Sequence, residues 1–214
     1  MKGKVRYAAG AAVCLSVTLL TGEPFSWAAK AAQPTSFLVD DFDVGPPCNK
    51  LGGNNNEYVR APSRAVAIRT ADTFHWGNGC LKLMYDKKAS GGPYNSGGWC
   101  GYYTLIAPKR RWFNATSYRA ISFWVMGAKG DENFVVGVAD HQWQDKGDSI
   151  KSKPIGKYLA EGRITKKWQK ATIPLDDFFV NLQEVASIAI CFEGYLFLGG
   201  AAKGTVYIDD LMLE

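Results

Sequence analysis

The sequence predicts an all-β chain folded as a two-sheet sandwich, and three observations predict it. Apolar residues alternate with polar ones in short runs, the period of a half-buried strand. Clusters of Gly, Pro and Asn separate these runs. No stretch keeps a 3.6-residue apolar spacing with helix caps. Composition agrees with this. Of 214 residues, 47% are hydrophobic and 21% charged, enough for one packed core and too little charge for wholesale disorder.

The elements follow in order. Residues 1–6 are basic, residues 7–20 (YAAGAAVCLSVTLL) are apolar, and the small residues of SWAAKAA come next. This is the order of a secretory signal peptide, expected over residues 1–28, with cleavage after Ala28 or Ala31. The apolar run is too short to span a bilayer, which takes about 20 residues. Residues 29–35 read as a flexible lead-in, and residues 36–214 as a single domain. Strands are expected at 37–42, 65–70, 81–85, 99–106, 120–126, 134–139, 168–173, 187–192 and 205–213. The residues joining them are rich in turn formers, as in GPPCNKLGGNNN (45–56) and SGGPYNSGG (90–98). Residues 175–181 have room for one helical turn. This rhythm of short strands fits a sandwich or barrel.

Charge and cysteine usage narrow the partners. The net charge is +5, and two of those charges (Lys2, Lys4 and Arg6, less Glu23) belong to the leader. The densest basic group, Lys109-Arg110-Arg111, is too small for the concentrated face that nucleic acid requires. No second apolar run is long enough for a membrane helix. Export to a secreted or periplasmic location would permit disulfides among Cys48, Cys80, Cys100 and Cys191, in any of three pairings. Cys80 with Cys100 is favoured, since a Gly-rich turn joins their strands. No CxxC exists, and His75 and His141 are the only histidines. No GxSxG, HExxH, P-loop or paired-glycine fingerprint appears.

Four stretches occur in an order that resembles a known family. They are VDDFD (39–43) with NKLGG (49–53), ATSYRAISFWVMG (115–127), WQKATIPLDDF (168–178) and GTVYIDDLMLE (204–214). The chain resembles the galactose-binding-like jelly rolls. Within these it is similar to the family 11 carbohydrate-binding module and to the complex I intermediate-associated protein domain. The resemblance implies a jelly roll whose terminal strands run side by side, a role in polysaccharide binding, and a structural calcium. Asp41, Asp43 and Asp209, with an oxygen from the 52–56 loop, are the candidate ligands, because clustered carboxylates repel unless a cation joins them. The competing reading is that these acids are solvated edge and turn residues, which discourage strand-to-strand aggregation.

A sugar is held by stacking its C–H face on a flat ring while polar groups read its hydroxyls. Two stretches mix rings with polar groups in this way. One contains Trp76, Tyr94, Trp99 and Tyr102. The other is Asp140, His141, Gln142 and Trp143 at a strand exit, with Tyr195 at the rim. Trp124 and Trp168 lie in scaffold motifs and are assigned to packing, as is Trp112. The expected function is non-catalytic binding of a β-glucan-like polysaccharide. Two alternatives remain: an envelope structural or assembly protein that contacts a protein partner, and a glycan hydrolase or lyase, for which only Asp140 beside His141 gives a hint.

Overall fold

The computed structural model describes residues 36–45, 48–108 and 111–214. The expected signal peptide (1–28) and lead-in (29–35) lie outside the described residues. Besides several short 3-10 turns, the described elements are eleven strands and one short α-helix: β1 (Phe37–Asp40), β2 (Asn55–Val59), β3 (Arg64–Thr70), β4 (Cys80–Lys87), β5 (Cys100–Leu105), β6 (Ala120–Gly127), β7 (Val135–Asp140), α1 (His141–Asp145), β8 (Ile150–Lys151), β9 (Gln169–Pro174), β10 (Val185–Cys191) and β11 (Ala202–Leu213). They form two antiparallel sheets. The six-stranded sheet runs β3-β4-β11-β6-β9, with β1 also paired to β11. The five-stranded sheet runs β2-β5-β10-β7-β8. The pairing of β1 with β11 places the two ends of the domain side by side, as the resemblance implies.

Period-two alternation builds the core between the sheets. Leu81, Leu83 and Tyr85 of β4 point inward, as do Ile121, Phe123 and Val125 of β6 and Val206 and Ile208 of β11. Cys100 and Tyr102 of β5, Val136 and Val138 of β7, and Ile188 and Ile190 of β10 meet them from the other sheet. Each such side chain contributes roughly 1.5–3 kcal/mol on leaving water. Tyr85 stacks on Phe192 with ring centroids 3.8 Å apart.

The structure departs from the expected elements at four places, one of them the two-residue β8, where no strand was expected. β2 occupies residues read as loop and beyond; its Asn-Asn-Glu start is poor in β-formers, but it is an edge strand held by β5. Residues 141–145 form a helical turn rather than a strand exit, because Asp140 caps it and accepts from Trp143 N at 3.0 Å. Trp124 faces outward from β6, half-buried, and stacks on His75 at 3.7 Å. The helical turn expected near 175 is present as a 3-10 turn at Leu175–Asp177.

Cys48, Cys80, Cys100 and Cys191 are all free, so the favoured Cys80–Cys100 bridge is absent. Cys80 Sγ instead donates to Thr73 O at 2.9 Å. Burial pushes the thiols of Cys100 and Cys191 up to about 11 and that of Cys80 to about 12, so these three stay protonated at neutral pH.

Candidate functional site

The outer face of the five-stranded sheet gathers rings and polar groups over a floor of small residues. In β5 the inward positions are Cys100, Tyr102 and Thr104, so Trp99, Gly101, Tyr103 and Leu105 point outward. Register carries this face across the sheet. Asn56 lies beside Tyr103, and Tyr58 beside Gly101. Tyr103 is next to Ala189, and Gly101 next to Cys191. Ala189 pairs with Gly137, and Ser187 with Ala139. Gly137 in turn pairs with Lys151. The floor is therefore Gly, Ala, Ser and Cys, and the rim is aromatic or charged.

Two glycines are needed for this shape. A Cβ on Gly101 would lie 2.5 Å from Tyr58 Oη and 2.2 Å from Ile190 O, so only glycine lets the Tyr58 ring settle on the sheet. A Cβ on Gly137 would lie 2.3 Å from Ser149 Oγ. Tyr58, Tyr103 and Leu196 pack over Val135, Ala189 and Cys191 and keep one side turned to solvent. Burial, followed by the proximity of Cys191, holds the Tyr58 phenol well above its ordinary range, so it remains a neutral hydrogen-bonding group.

The rim supplies donors and acceptors. The Arg60 guanidinium lies 5.6 Å over the Trp99 ring, which is 46% exposed. Lys151 Nζ donates to Asp148 Oδ1 and Ser149 Oγ, both at 2.8 Å. Burial alone would lower the Lys151 pKa; the Asp148 carboxylate it binds and nearby Glu193 outweigh this, so the ammonium stays charged. Ser187 Oγ donates to Gln144 Oε1 at 2.9 Å and ties α1 to the sheet. Tyr195, on the turn that carries Leu196, is 71% exposed.

A family model, Carbohydrate binding domain 30, matches residues 49–214. The chain belongs to this family. Two solved modules from Clostridium thermocellum share the fold. The family 30 carbohydrate-binding module of a cellulosomal cellulase is 18% identical, with a TM-score of 0.59 over 83% of this chain and 97% of that one. The family 11 module in complex with a β-1,3-1,4-mixed-linked tetrasaccharide is 14% identical, with a TM-score of 0.57 over 83% and 94%. Part of a β-1,2-glucanase from Parabacteroides distasonis also matches, at 15% identity and a TM-score of 0.57, over 84% of this chain and 25% of that one. No curated protein matches.

Within this carbohydrate-binding domain the sequence-predicted residues are scattered. Trp99 is on the described face and Tyr195 at its edge. Tyr102 is not: it is 3% exposed, and its ring meets Phe42 edge-on in the core. Asp140 is buried too; its carboxylate accepts from Trp143 N and from Asn181 N at 2.8 Å and so acts as a cap. His141 stacks on Trp112 at 4.7 Å and faces Asp145 and Glu184. Trp143 is half-buried, with the Lys146 ammonium 4.6 Å over its ring, and Gln142 is exposed beside it. Tyr94 is 95% exposed on the 88–98 loop. Trp76 lies on the loop between β3 and β4, beside the other sheet: its backbone N–H donates to Asp209 Oδ2, as does that of His75. Sequence reasoning missed Tyr58, Tyr103, Asn56, Arg60 and Lys151. The alternation of Asn56, Tyr58 and Arg60 carried the signal, but it began in a stretch read as loop.

The expected calcium ligands are occupied by protein donors. Asp41 pairs with Lys50. Asp43 Oδ1 accepts from Asn78 N at 2.6 Å. Asp209 accepts three backbone N–H groups, those of His75, Trp76 and Asp210. The neighbouring Asp40 is clamped by Arg69 through both oxygens, at 2.9 and 3.0 Å. Among the described residues no group of three or more His, Cys, Asp or Glu side chains is placed for a metal ion. In this structure the acids serve as turn and strand locks.

Proposed function

We propose that this domain holds a β-glucan-like chain along the outer face of its five-stranded sheet, without cleaving it. One observation carries the reading: Tyr58, Trp99 and Tyr103, none of them fully buried, present rings on one face of β2 and β5, seated on or beside small residues. Sugar rings stack on these faces, while Asn56, Arg60, Lys151 and Gln144 reach the hydroxyls. Polar contacts with water-exposed sugar are weak one by one, so affinity should grow with chain length. The mixed-linked tetrasaccharide held by the similar family 11 module supports a β-glucan as the first ligand to try.

A non-catalytic role is favoured by the fate of Asp140. The acid that gave the only hint of catalysis is buried, and its oxygens are spent on two backbone N–H groups. The leader over residues 1–28 and the family together favour an exported protein. No helix among the described residues is long and apolar enough to cross a membrane.

The test is electrophoresis through gels containing mixed-linkage β-glucan, with reducing-sugar release followed on the same polymer. Retardation without sugar release is expected. Free mobility in every glucan tried, or steady release of reducing ends, would overturn the reading.

A further inference from the structure

The six-stranded sheet carries a separate depression of about 500 Å³ on its own outer face, away from the glucan-facing rings. Its floor is built from Val66 of β3, Met84 of β4 and Thr205 of β11, which are cross-strand neighbours, with Ala128 closing one side. Val66 is 47% exposed, so this floor is open to a ligand.

Three cations stand around it: Arg64, Lys129 and Lys203. Arg64 and Lys203 flank Asp86 on the adjacent strands. The Asp86 carboxylate turns instead to Lys88, 2.8 Å away. Among the described residues no carboxylate lies within ion-pair distance of Arg64, Lys129 or Lys203. Lys129 sits on a fixed turn: Glu132 accepts from the backbone N–H groups of Lys129 and Gly130, both at 2.8 Å, and from that of Asp131. Those contacts consume the one buried acid nearby. The Lys129 ammonium reaches only Lys203 O, at 3.2 Å.

We propose that this depression is a second saccharide site, selective for a sugar that carries a carboxylate, namely a uronic acid residue. The apolar floor suits the C–H face of a pyranose ring, and the unpaired cations suit its carboxylate, with Arg64 able to grip it through two N–H groups. That the ligand is a sugar rests on the family; that it is acidic rests on the three cations. The two sites lie on opposite faces of the sandwich, so one domain can hold a neutral chain and an acidic chain at once.

The experiment compares mobility of the intact protein in gels containing polygalacturonate, mixed-linkage β-glucan or polyglutamate at low salt, where exposed charges are least screened. Polygalacturonate should retard the wild type and polyglutamate should not. The Arg64→Ala/Lys203→Ala variant should bind polygalacturonate roughly tenfold more weakly, as expected for two exposed charge contacts, and retain its glucan binding. Val66→Ser keeps every charge and should still weaken polygalacturonate binding severalfold. Trp99→Ala should show the opposite pattern, losing glucan and keeping polygalacturonate. The proposal falls if the double variant is retarded as strongly as wild type, or if polyglutamate retards the wild type as strongly as polygalacturonate does. Absence of polygalacturonate binding in the wild type overturns it too, and leaves the glucan site standing.

Discussion

The two outer faces of the sandwich both carry aromatic residues and arrange them differently. On the six-stranded sheet, Ile68, Lys82, Tyr207 and Met126 form one cross-strand row, with Trp124 beside it. Along this row large side chains stand next to large side chains, and Trp124 is capped by the His75 ring; the depression floored by Val66, Met84 and Thr205 lies farther along the same face. On the five-stranded sheet the central strands β10 and β7 turn Ala189, Ser187, Gly137 and Ala139 to the outer side, where larger neighbours such as Tyr58, Tyr103 and Leu196 cover them. Rings rise only at the margins, from β2, β5 and the turn after β10. A binding face arises from the contrast between a small floor and a large rim, and the tally of tryptophans alone does not reveal it.

The comparison can be broken most sharply at two adjacent residues. Tyr102→Ala removes a core ring and should cost about 3–5 kcal/mol of stability, as large core truncations do. Tyr103→Ala should cost far less stability but weaken glucan binding, by roughly tenfold or more if it is an aromatic anchor. Equal losses of stability in the two variants, measured by denaturant unfolding, would show that β5 does not alternate as described.

Gly101→Ala is the next largest effect. The added methyl meets the Tyr58 ring and Ile190 O, so destabilisation of about 1–3 kcal/mol is expected. Glucan affinity should fall as well, because Tyr58 is lifted from its seat. Unchanged unfolding and unchanged binding would remove Tyr58 from the site.

Asp209, on the other sheet, gives a pH effect that sharpens the contrast. Burial raises its carboxyl to about 6 despite three N–H donors. The folded state therefore prefers the protonated acid. This contribution to stability is complete below the unfolded value near 4 and is lost as the pH rises through about 6. Stability should fall by roughly 1–3 kcal/mol between pH 4 and pH 7 on this account. Asp209→Asn, which keeps an acceptor and cannot titrate, should flatten the profile. A profile identical in wild type and variant would contradict the assignment. Glucan binding should follow the Asp209 titration weakly or not at all, since the site is on the opposite face.

The smallest effect concerns the thiols. Cys80, Cys100 and Cys191 should resist alkylation in the native protein, while Cys48, which is half-buried, should react first. Denatured without reductant, the 36–214 domain should yield four free thiols by mass. Two or none would restore a disulfide.

The sandwich was legible in the sequence because alternation and turn formers are local signals. Nine expected strands reappear, at boundaries close to those read from residues alone. β2 was not legible, since an edge strand beginning Asn-Asn-Glu owes its conformation to β5 rather than to its own residues. The site was legible only in part. Trp99 and Tyr102 were both selected, yet three positions apart on one strand they must point to opposite faces. Phase along the strand decides the matter, and Gly101 between them is the clue, because a glycine beneath a ring marks the outward register. Asp140 looked like chemistry and is a helix cap, because whether a carboxylate is free or spent depends on backbone N–H groups such as Asn181 N that come from distant sequence.

The most direct measurement of the central claim is calorimetric titration of a mixed-linkage β-glucan oligosaccharide into wild type and the Trp99→Ala/Tyr103→Ala variant, with melting temperatures recorded for both. Saturable binding by the wild type, lost in a variant whose melting temperature stays within a few degrees, is the predicted result. Binding that survives intact in a folded variant would place the sugar elsewhere on the molecule and contradict the account.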